Sequence, residues 1–396
     1  MQVRPMPDGQ WAPVPDIPGV PEVLCREGAF VPPPLPLDLT LPSTTYRRAA
    51  EAEHVLGRLD EAAKRLRAPQ GLVRSTQVRD AQSSASLGGL HLGLEEVLAA
   101  DLLASQSSPR RPDLIPRVTR YLQAYDHGID RVRAGARVDA TLMSELSAIM
   151  TGQAGRAVSD VLRTEHGLLG GGITGPYLLT AIGPHLLDRL EQLSDWAEND
   201  KGQPRVAQLA IAHYQLEVLQ PFPTANGHVA RGFSMLQLIR QRLLHSQILP
   251  LSVWLDDTLD EYQEQVRAVV DTGLIHNWVD YFSTAIRDQA NAQLNLISRL
   301  DELAVEFADR APKSGKILQV IADLISYPVI NHRAIEERYK VTTKYATDLT
   351  RRLIDLDILA IWETPRYDQI FLCEPALDLL NLNEETRADD QRDATR

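Results

Sequence analysis

Residues 219–232 read LQPFPTANGHVARG, and the reading of this stretch decides the fold. A proline and an aromatic, Pro221 and Phe222, lead into the turn pair Asn226 and Gly227. From Gly227 onward the pattern is helical, and Arg231, four residues on, looks back at the turn. A helix start supplies backbone N–H groups without intrahelical partners and a positive end, so the geometry suits a phosphate or another anion. No carboxylate stands in the loop to hold a metal. Taken alone, Asn226–Gly227 is an ordinary turn pair, and His228 and Arg231 would lie on a solvated helix face.

The rest of the chain limits what this loop belongs to. At 396 residues, with 44% hydrophobic and 24% charged content, the chain can bury a substantial core, and its length points to two or more domains. No apolar run approaches the roughly 20 residues of a membrane helix. The start, MQVRPMPDGQWAPVPDIPG, lacks the apolar core of a signal peptide, so the expectation is a cytoplasmic protein without a membrane partner. Cys25 and Cys373 lie at opposite ends and indicate neither a disulfide framework nor a cysteine metal site. Histidines are scattered, without H-E-x-x-H spacing, so no metal is expected. The net charge of -12 argues against a chain that coats nucleic acid non-specifically, and leaves room for a local basic surface.

Residues 1–42 form a proline-rich arm ending in FVPPPLPLDLTLP, which reads as extended structure lying on a neighbour or as a loose arm. The pattern then becomes helical, with Ala49, Ala52, Val55, Leu56 and Leu59 at helical spacing. Further helices are predicted near 94–105, 112–133, 139–151, 184–199, 203–219, 227–243 and 256–306, the last broken near Gly273. The glycine-rich RTEHGLLGGGITGPYLL, residues 163–179, reads as a short hairpin or flap. After Pro312 the order is helix, short helix, longer helix, then two short strands around a turn at Pro365, which is the order of a winged helix. Its second helix offers Thr342, Thr343, Lys344, Tyr345, Arg351 and Arg352 as DNA contacts, diluted by Asp348, Asp355 and Asp357. A winged helix that serves only protein contacts or dimerisation fits the same residues.

Against this background the loop resembles the signature of the Fic (Fido) family, H-P-F-x-[D/E]-G-N-G-R-x-x-R, read here as QPFPTANGHVAR. DAQSSASLGG, residues 80–89, is similar to the family's N-terminal EAxxSSxIEG segment. AHYQLEVLQPF resembles the helix before its motif, the 163–179 stretch its target-positioning flap, and the C-terminal region a winged helix appended to many members. The resemblance implies a mostly α fold: a Fic-type helical bundle with a small β-hairpin flap and a C-terminal winged helix-turn-helix. The implied divisions are the arm at 1–42, a Fic-associated helical region at 43–110, a Fic-like core at 111–250 and a helical connector at 251–311. A winged helix at 312–380 and a charged, disordered tail at 381–396 follow.

In such proteins, the resemblance implies, the motif histidine takes a proton from a target hydroxyl that attacks the α-phosphate of ATP and so accepts AMP. The acidic residue holds Mg²⁺, and loop amides and two arginines meet phosphate. Here Pro221, Phe222, Asn226, Gly227 and Arg231 are kept, while Gln220 replaces the histidine, Thr224 the acid, Ala225 the first glycine and His228 the first arginine. A glutamine amide cannot accept a proton at neutral pH, and a threonine has no charge to attract Mg²⁺. The inhibitory glutamate that pairs with the second arginine in many members is also gone: Ser84, Gly88 and Gly89 mark a degenerate inhibitory motif, with Gly88 at the acid's position. Arg231 thus lacks an inherited carboxylate partner and needs another anion or solvent. His213 and Glu217, at i and i+4, read as a structural hydrogen-bonded pair.

These readings favour a Fic-like protein without standard AMP transfer that keeps an anion or nucleotide pocket at Asn226, Gly227, His228 and Arg231 and acts as a regulator through its winged helix. The alternatives are a repurposed enzyme using the same pocket, with His228 the candidate acid–base group, and a weak ATP-dependent protein adenylyltransferase. The ligand expected is ATP or another phosphate- or carboxylate-bearing small molecule. The partners expected are DNA at Thr343, Lys344, Arg351 and Arg352, a protein at the flap, and a second copy of the chain.

Overall fold

The computed structural model describes residues 9–35, 40–66, 69–106, 115–155, 158–170, 175–199, 202–312, 315–363 and 369–381. The arm holds strand β1 (Gln10–Ala12), helix α1 (Glu22–Glu27) and strand β2 (Ala29–Val31). The proline-rich composition conceals α1. It starts directly after Pro21, where a missing N–H costs nothing, and stops at Gly28, whose φ of 95° no other residue adopts easily. The helical region follows as α2 (Ser43–Arg65), α3 (Pro69–Leu87), α4 (Leu94–Ser105), α5 (Ile115–Arg133), α6 (Ala140–Thr151) and α7 (Val158–Val161). Strands β3 (Gly167–Gly170) and β4 (Pro176–Thr180) then precede α8 (His185–Glu198), α9 (Arg205–Leu219) and α10 (Asn226–Arg240).

Three helices complete the bundle: α11 (Leu251–Asp257), α12 (Leu259–Thr272) and α13 (Ile275–Arg310). The break expected near Gly273 is present, where that glycine's φ of 68° closes α12. The helix α11 is additional to the expectation, and α10 ends three residues earlier than the apolar pattern implies. At the centre lies α9, buried from Val206 to Leu219 because its sequence is apolar or small nearly all round. It packs on α2, α8, α10 and α13. Trp278 of α13, fully buried, donates its indole N–H to the carbonyl of Ala210 at 2.6 Å, which ties the long helix to that centre.

The flap is more than a hairpin. β3 and β4 pair antiparallel as expected, and β4 also pairs in parallel with β2 at Phe30 and Thr180, while β2 pairs antiparallel with β1. The arm therefore supplies half of a four-stranded sheet of order β1-β2-β4-β3, which places the flap hairpin at one edge. The glycines at 171–174 lie outside the described residues, as do residues 1–8 and 36–39 of the arm.

The C-terminal region contains α14 (Lys316–Leu324), β5 (Val329–Asn331), α15 (His332–Tyr339), α16 (Thr343–Asp355), β6 (Ala360–Glu363) and β7 (Ile370–Leu372), with a further helical stretch at 374–381. Its sheet has the order β5-β7-β6. Three helices and the final strand pair occur in the expected sequence, and β5 is the element not foreseen, being only three residues long. The turn at Pro365 and the tail from residue 382 lie outside the described residues. The region docks through α3 and α4: Ser75 Oγ donates to the Ser326 carbonyl at 2.8 Å, and Gln106 and Asn331 exchange amide hydrogen bonds of 3.0 and 2.8 Å. Among the described residues no helix is long and apolar enough to cross a membrane.

Candidate functional site

The loop after α9 is shaped by two left-handed residues that are not glycine. Gln220, with φ 44° and ψ 59°, ends α9, and Ala225, with φ 64° and ψ 17°, precedes α10. An L-residue pays on the order of 1 kcal/mol for such a backbone, which surrounding contacts must offset. Ala225 thus holds a conformation suited to the glycine that the resemblance places there. Asn226 supplies one compensating contact. Its Oδ1 accepts from the Phe222 amide at 2.8 Å and its Nδ2 donates to the Phe222 carbonyl at 2.7 Å. Asn226, expected in the anion pocket, commits its side chain on both ends to the loop and leaves its backbone N–H at the helix start.

Arg231 lies where its spacing predicts. A Cβ added to Gly227 would meet its Nη1 at 2.9 Å and Nη2 at 3.4 Å, so the guanidinium lies against the bare first turn of α10. The side chain is 7% exposed. Nε donates to Ser84 Oγ at 2.9 Å and Nη2 to the Ser84 carbonyl at 3.2 Å, while Nη1 has no protein partner among the described residues. No carboxylate forms an ion pair with it there; Glu217, Asp80 and Asp256 feel its charge from farther away.

His228 is held on both faces of its function. Ser84 Oγ lies 2.7 Å from His228 Nδ1, and Arg231 Nη2, which can only donate, faces the same nitrogen at 3.5 Å; Nδ1 is therefore read as the acceptor, with the ring proton on Nε2. The ring stacks on Tyr121 with centroids 3.9 Å apart. Burial, then the charges of Arg231 and Arg117, push its pKa well below the usual histidine range. The imidazole therefore stays neutral and offers an N–H donor, with its basic nitrogen already occupied. Gly88 leaves that donor uncovered, since a Cβ there would lie 3.6 Å from Nε2, while Gly89 turns the chain away with φ 80°.

Gln220 is turned away from a reacting group. Its Nε2 donates back to the Glu217 carbonyl at 2.9 Å and approaches Glu217 Oε2 at 3.5 Å. Thr224 is exposed at the rim. The direct His213–Glu217 hydrogen bond expected from the i, i+4 spacing does not form. Those side chains are 3.8 Å apart, and Tyr262 Oη donates to His213 Nε2 at 3.1 Å, while His213 Nδ1–H donates to Ser234 Oγ at 2.8 Å. Burial, then Arg231, lowers His213 to about 3, and burial raises Glu217.

The loop from Thr224 to His228, with Gln220 and Arg231, lines a cleft of about 770 Å³ bounded by the end of α3, one face of α5, the flap and the starts of α10 and α12. Two kinds of residue escaped the sequence reading. Arg117 and Arg120 enter the cleft from α5, about 110 residues before the loop, and nothing local marks them. Arg163, 6% exposed, ties the base of the flap to the loop: it donates to the carbonyls of Gln220, Leu219 (3.3 Å) and Ala181 (2.6 Å), and burial lowers its pKa to about 10. Among the described residues no group of three or more His, Cys, Asp or Glu stands together as a metal site. On α16, Thr343, Lys344, Arg351 and Arg352 are exposed, and Arg352 pairs with Asp348 at 2.9 Å.

Comparison with known proteins agrees with this architecture. Residues 46–130 match the Fic/DOC family N-terminal domain. A Fic family protein from Desulfovibrio desulfuricans G20 superposes with a TM-score of 0.53 at 15% identity, covering 84% of this chain and 97% of that one. A Fic domain containing signaling protein from Bacteroides thetaiotaomicron VPI-5482 gives 0.47 at 14% identity, covering 62% and 97%. Fic-1 from C. elegans gives 0.45 at 17% identity, covering 63% and 73%. The chain is a Fic-fold protein carrying the Fic/DOC N-terminal domain at residues 46–130.

Proposed function

We propose that this Fic-fold protein binds a small anion at the start of α10 without performing standard AMP transfer, and that it acts as a regulator through a C-terminal winged helix. The observation that carries the reading is Nη1 of the buried Arg231, without a protein partner among the described residues and held against Gly227 beside the amides at the start of α10. A helix start and an unpaired guanidinium together make a strong anion site, because charge-assisted donors converge where water is scarce. The transfer machinery lacks equivalents. Gln220 caps α9, Thr224 carries no charge, and His228 has its lone pair committed to Ser84.

Inorganic phosphate is the first probe. It should stabilise the protein against thermal unfolding, by about 2.7 kcal/mol at 100 times its Kd. Arg231→Ala should abolish that gain with the fold intact. Incubation with ATP and Mg²⁺ or Mn²⁺ should label neither the protein nor a lysate with AMP, and Gln220→His alone should restore nothing, since Thr224 still fails to hold a metal. Labelling that depends on the loop would refute the regulatory reading in favour of an adenylyltransferase.

A further inference from the structure

Most arginines whose partners are known in this chain are neutralised. Arg48, Arg74, Arg240, Arg267 and Arg333 each meet a carboxylate, as acids outnumbering bases by 53 to 41 would lead one to expect. The cleft departs from this habit. Arg117 and Arg120 line it from α5, and among the described residues neither forms an ion pair; Arg120 gives only its Nε to the Met150 carbonyl at 3.1 Å. With Tyr121 they stand at i, i+3 and i+4, so all three share one face of the helix. Tyr121 stacks on His228, the third residue of α10, and this fixes the α5 face one ring's thickness from the anion site at the α10 start.

The groups between the two sets of cations do not cancel them. His228 presents its Nε2–H where Gly88 contributes no side chain. The cleft's two carboxyls, Glu217 and Asp256, both feel the charge of Arg231, with His91 added for Asp256, and neither forms an ion pair with Arg117 or Arg120 among the described residues. Both acids are also pushed towards their neutral forms by burial. Guanidiniums that lack carboxylates and converge on one cleft match the fork geometry of phosphate oxygens.

We propose that Arg117 and Arg120 form a second anion subsite adjoining the first, and that the cleft takes a small metal-free diphosphate, one phosphate at Arg231 and the α10 start and the other at the α5 arginines. The inference rests on the anion-pocket reading above and adds the class of ligand. The arginines supply the countercharge that a bound cation would otherwise provide, so binding needs no divalent metal.

The test titrates inorganic phosphate and pyrophosphate into the full-length protein in EDTA, by calorimetry, for the wild type, Arg117→Gln, the double variant Arg117→Gln/Arg120→Gln, and Arg231→Ala. Pyrophosphate should bind the wild type about tenfold or more tightly than phosphate, the size of one charge-assisted contact. The double variant should lose that preference while keeping its phosphate affinity, and Arg231→Ala should lose both anions. Arg117→Gln removes an exposed side chain with no protein partner among the described residues, so it should keep the fold and lose part of the preference even if the double variant unfolds. Pyrophosphate affinity unchanged in Arg117→Gln and the double variant, or binding only with Mg²⁺ present, overturns the inference. Phosphate that binds through Arg231 while pyrophosphate gains nothing from α5 defeats this inference alone; a wild type that binds neither anion defeats the pocket reading with it.

Discussion

Gly227 carries no side chain because Arg231 needs the space. A Cβ there would sit 2.9 Å from Nη1, closer than real contacts allow, and the guanidinium would have to swing off the first turn. Alanine is otherwise the better helix former by about 1 kcal/mol. Gly227→Ala should therefore abolish phosphate binding while leaving the melting temperature level or slightly raised; calorimetry beside a thermal melt checks this, and retained affinity would contradict it. His213 offers a second test at this scale. Its folded pKa, about 3, lies below the ordinary 6.5, so the neutral ring stabilises the fold fully above pH 6.5 and loses that contribution as pH falls towards 3. The stability lead of the wild type over His213→Gln should shrink by about 1.4 kcal/mol per pH unit below 6.5, measured by urea unfolding from pH 7 to 4.5. The placement of Arg231 was legible in the sequence because four residues on a helix return a side chain to the same face. The inward turn of Gln220 and Asn226 was not, since it depends on left-handed backbone that side-chain pattern does not encode.

At the scale of elements, α16 sorts its own cations. Arg352 is already paired with Asp348, whereas Lys344 and Arg351 are exposed with no such partner among the described residues. If the region docks on DNA, Lys344→Ala and Arg351→Ala should each weaken binding and lower the salt slope by about 1, and Arg352→Ala should do less. Fluorescence anisotropy with duplexes from the protein's own locus, at several salt concentrations, gives the slopes; equal losses for all three would argue against this ranking. Thr342, among the expected contacts, instead caps the helix by accepting from the Tyr345 amide at 3.3 Å. Helices such as α4 and α9 were legible nearly to the residue, because each is a run of apolar and helix-favouring residues that opens directly after a breaker, Gly93 or Pro204. Short strands such as β5 carry three residues of pattern, too few to distinguish from a loop.

Across the whole molecule, the arm and the flap share one sheet although about 140 residues separate them. Phe30, 2% exposed, sits at the register where β2 meets β4, and Arg267 reinforces the junction by donating to the Tyr177 carbonyl at 2.8 Å and to Glu27 at 3.1 Å. Phe30→Ala should cost about 3–5 kcal/mol. Amide exchange should accelerate first at Leu178 and Leu179 and leave α9 protected, whereas uniform loss of protection would mean the arm does not hold the flap. No sequence pattern announces a pairing of this range, so the hairpin was legible and its attachment was not. One helix spans the remaining distance. Through Ser75, α3 grips the C-terminal region, and through Ser84 it grips Arg231 and His228, nine residues or about 14 Å farther along a rigid rod. Messages along such a rod run both ways with equal strength. If a ligand in the cleft changes the affinity of the C-terminal region for a partner, that partner must change the affinity for the ligand by the same factor, and the occupancy of either would then follow the supply of the other.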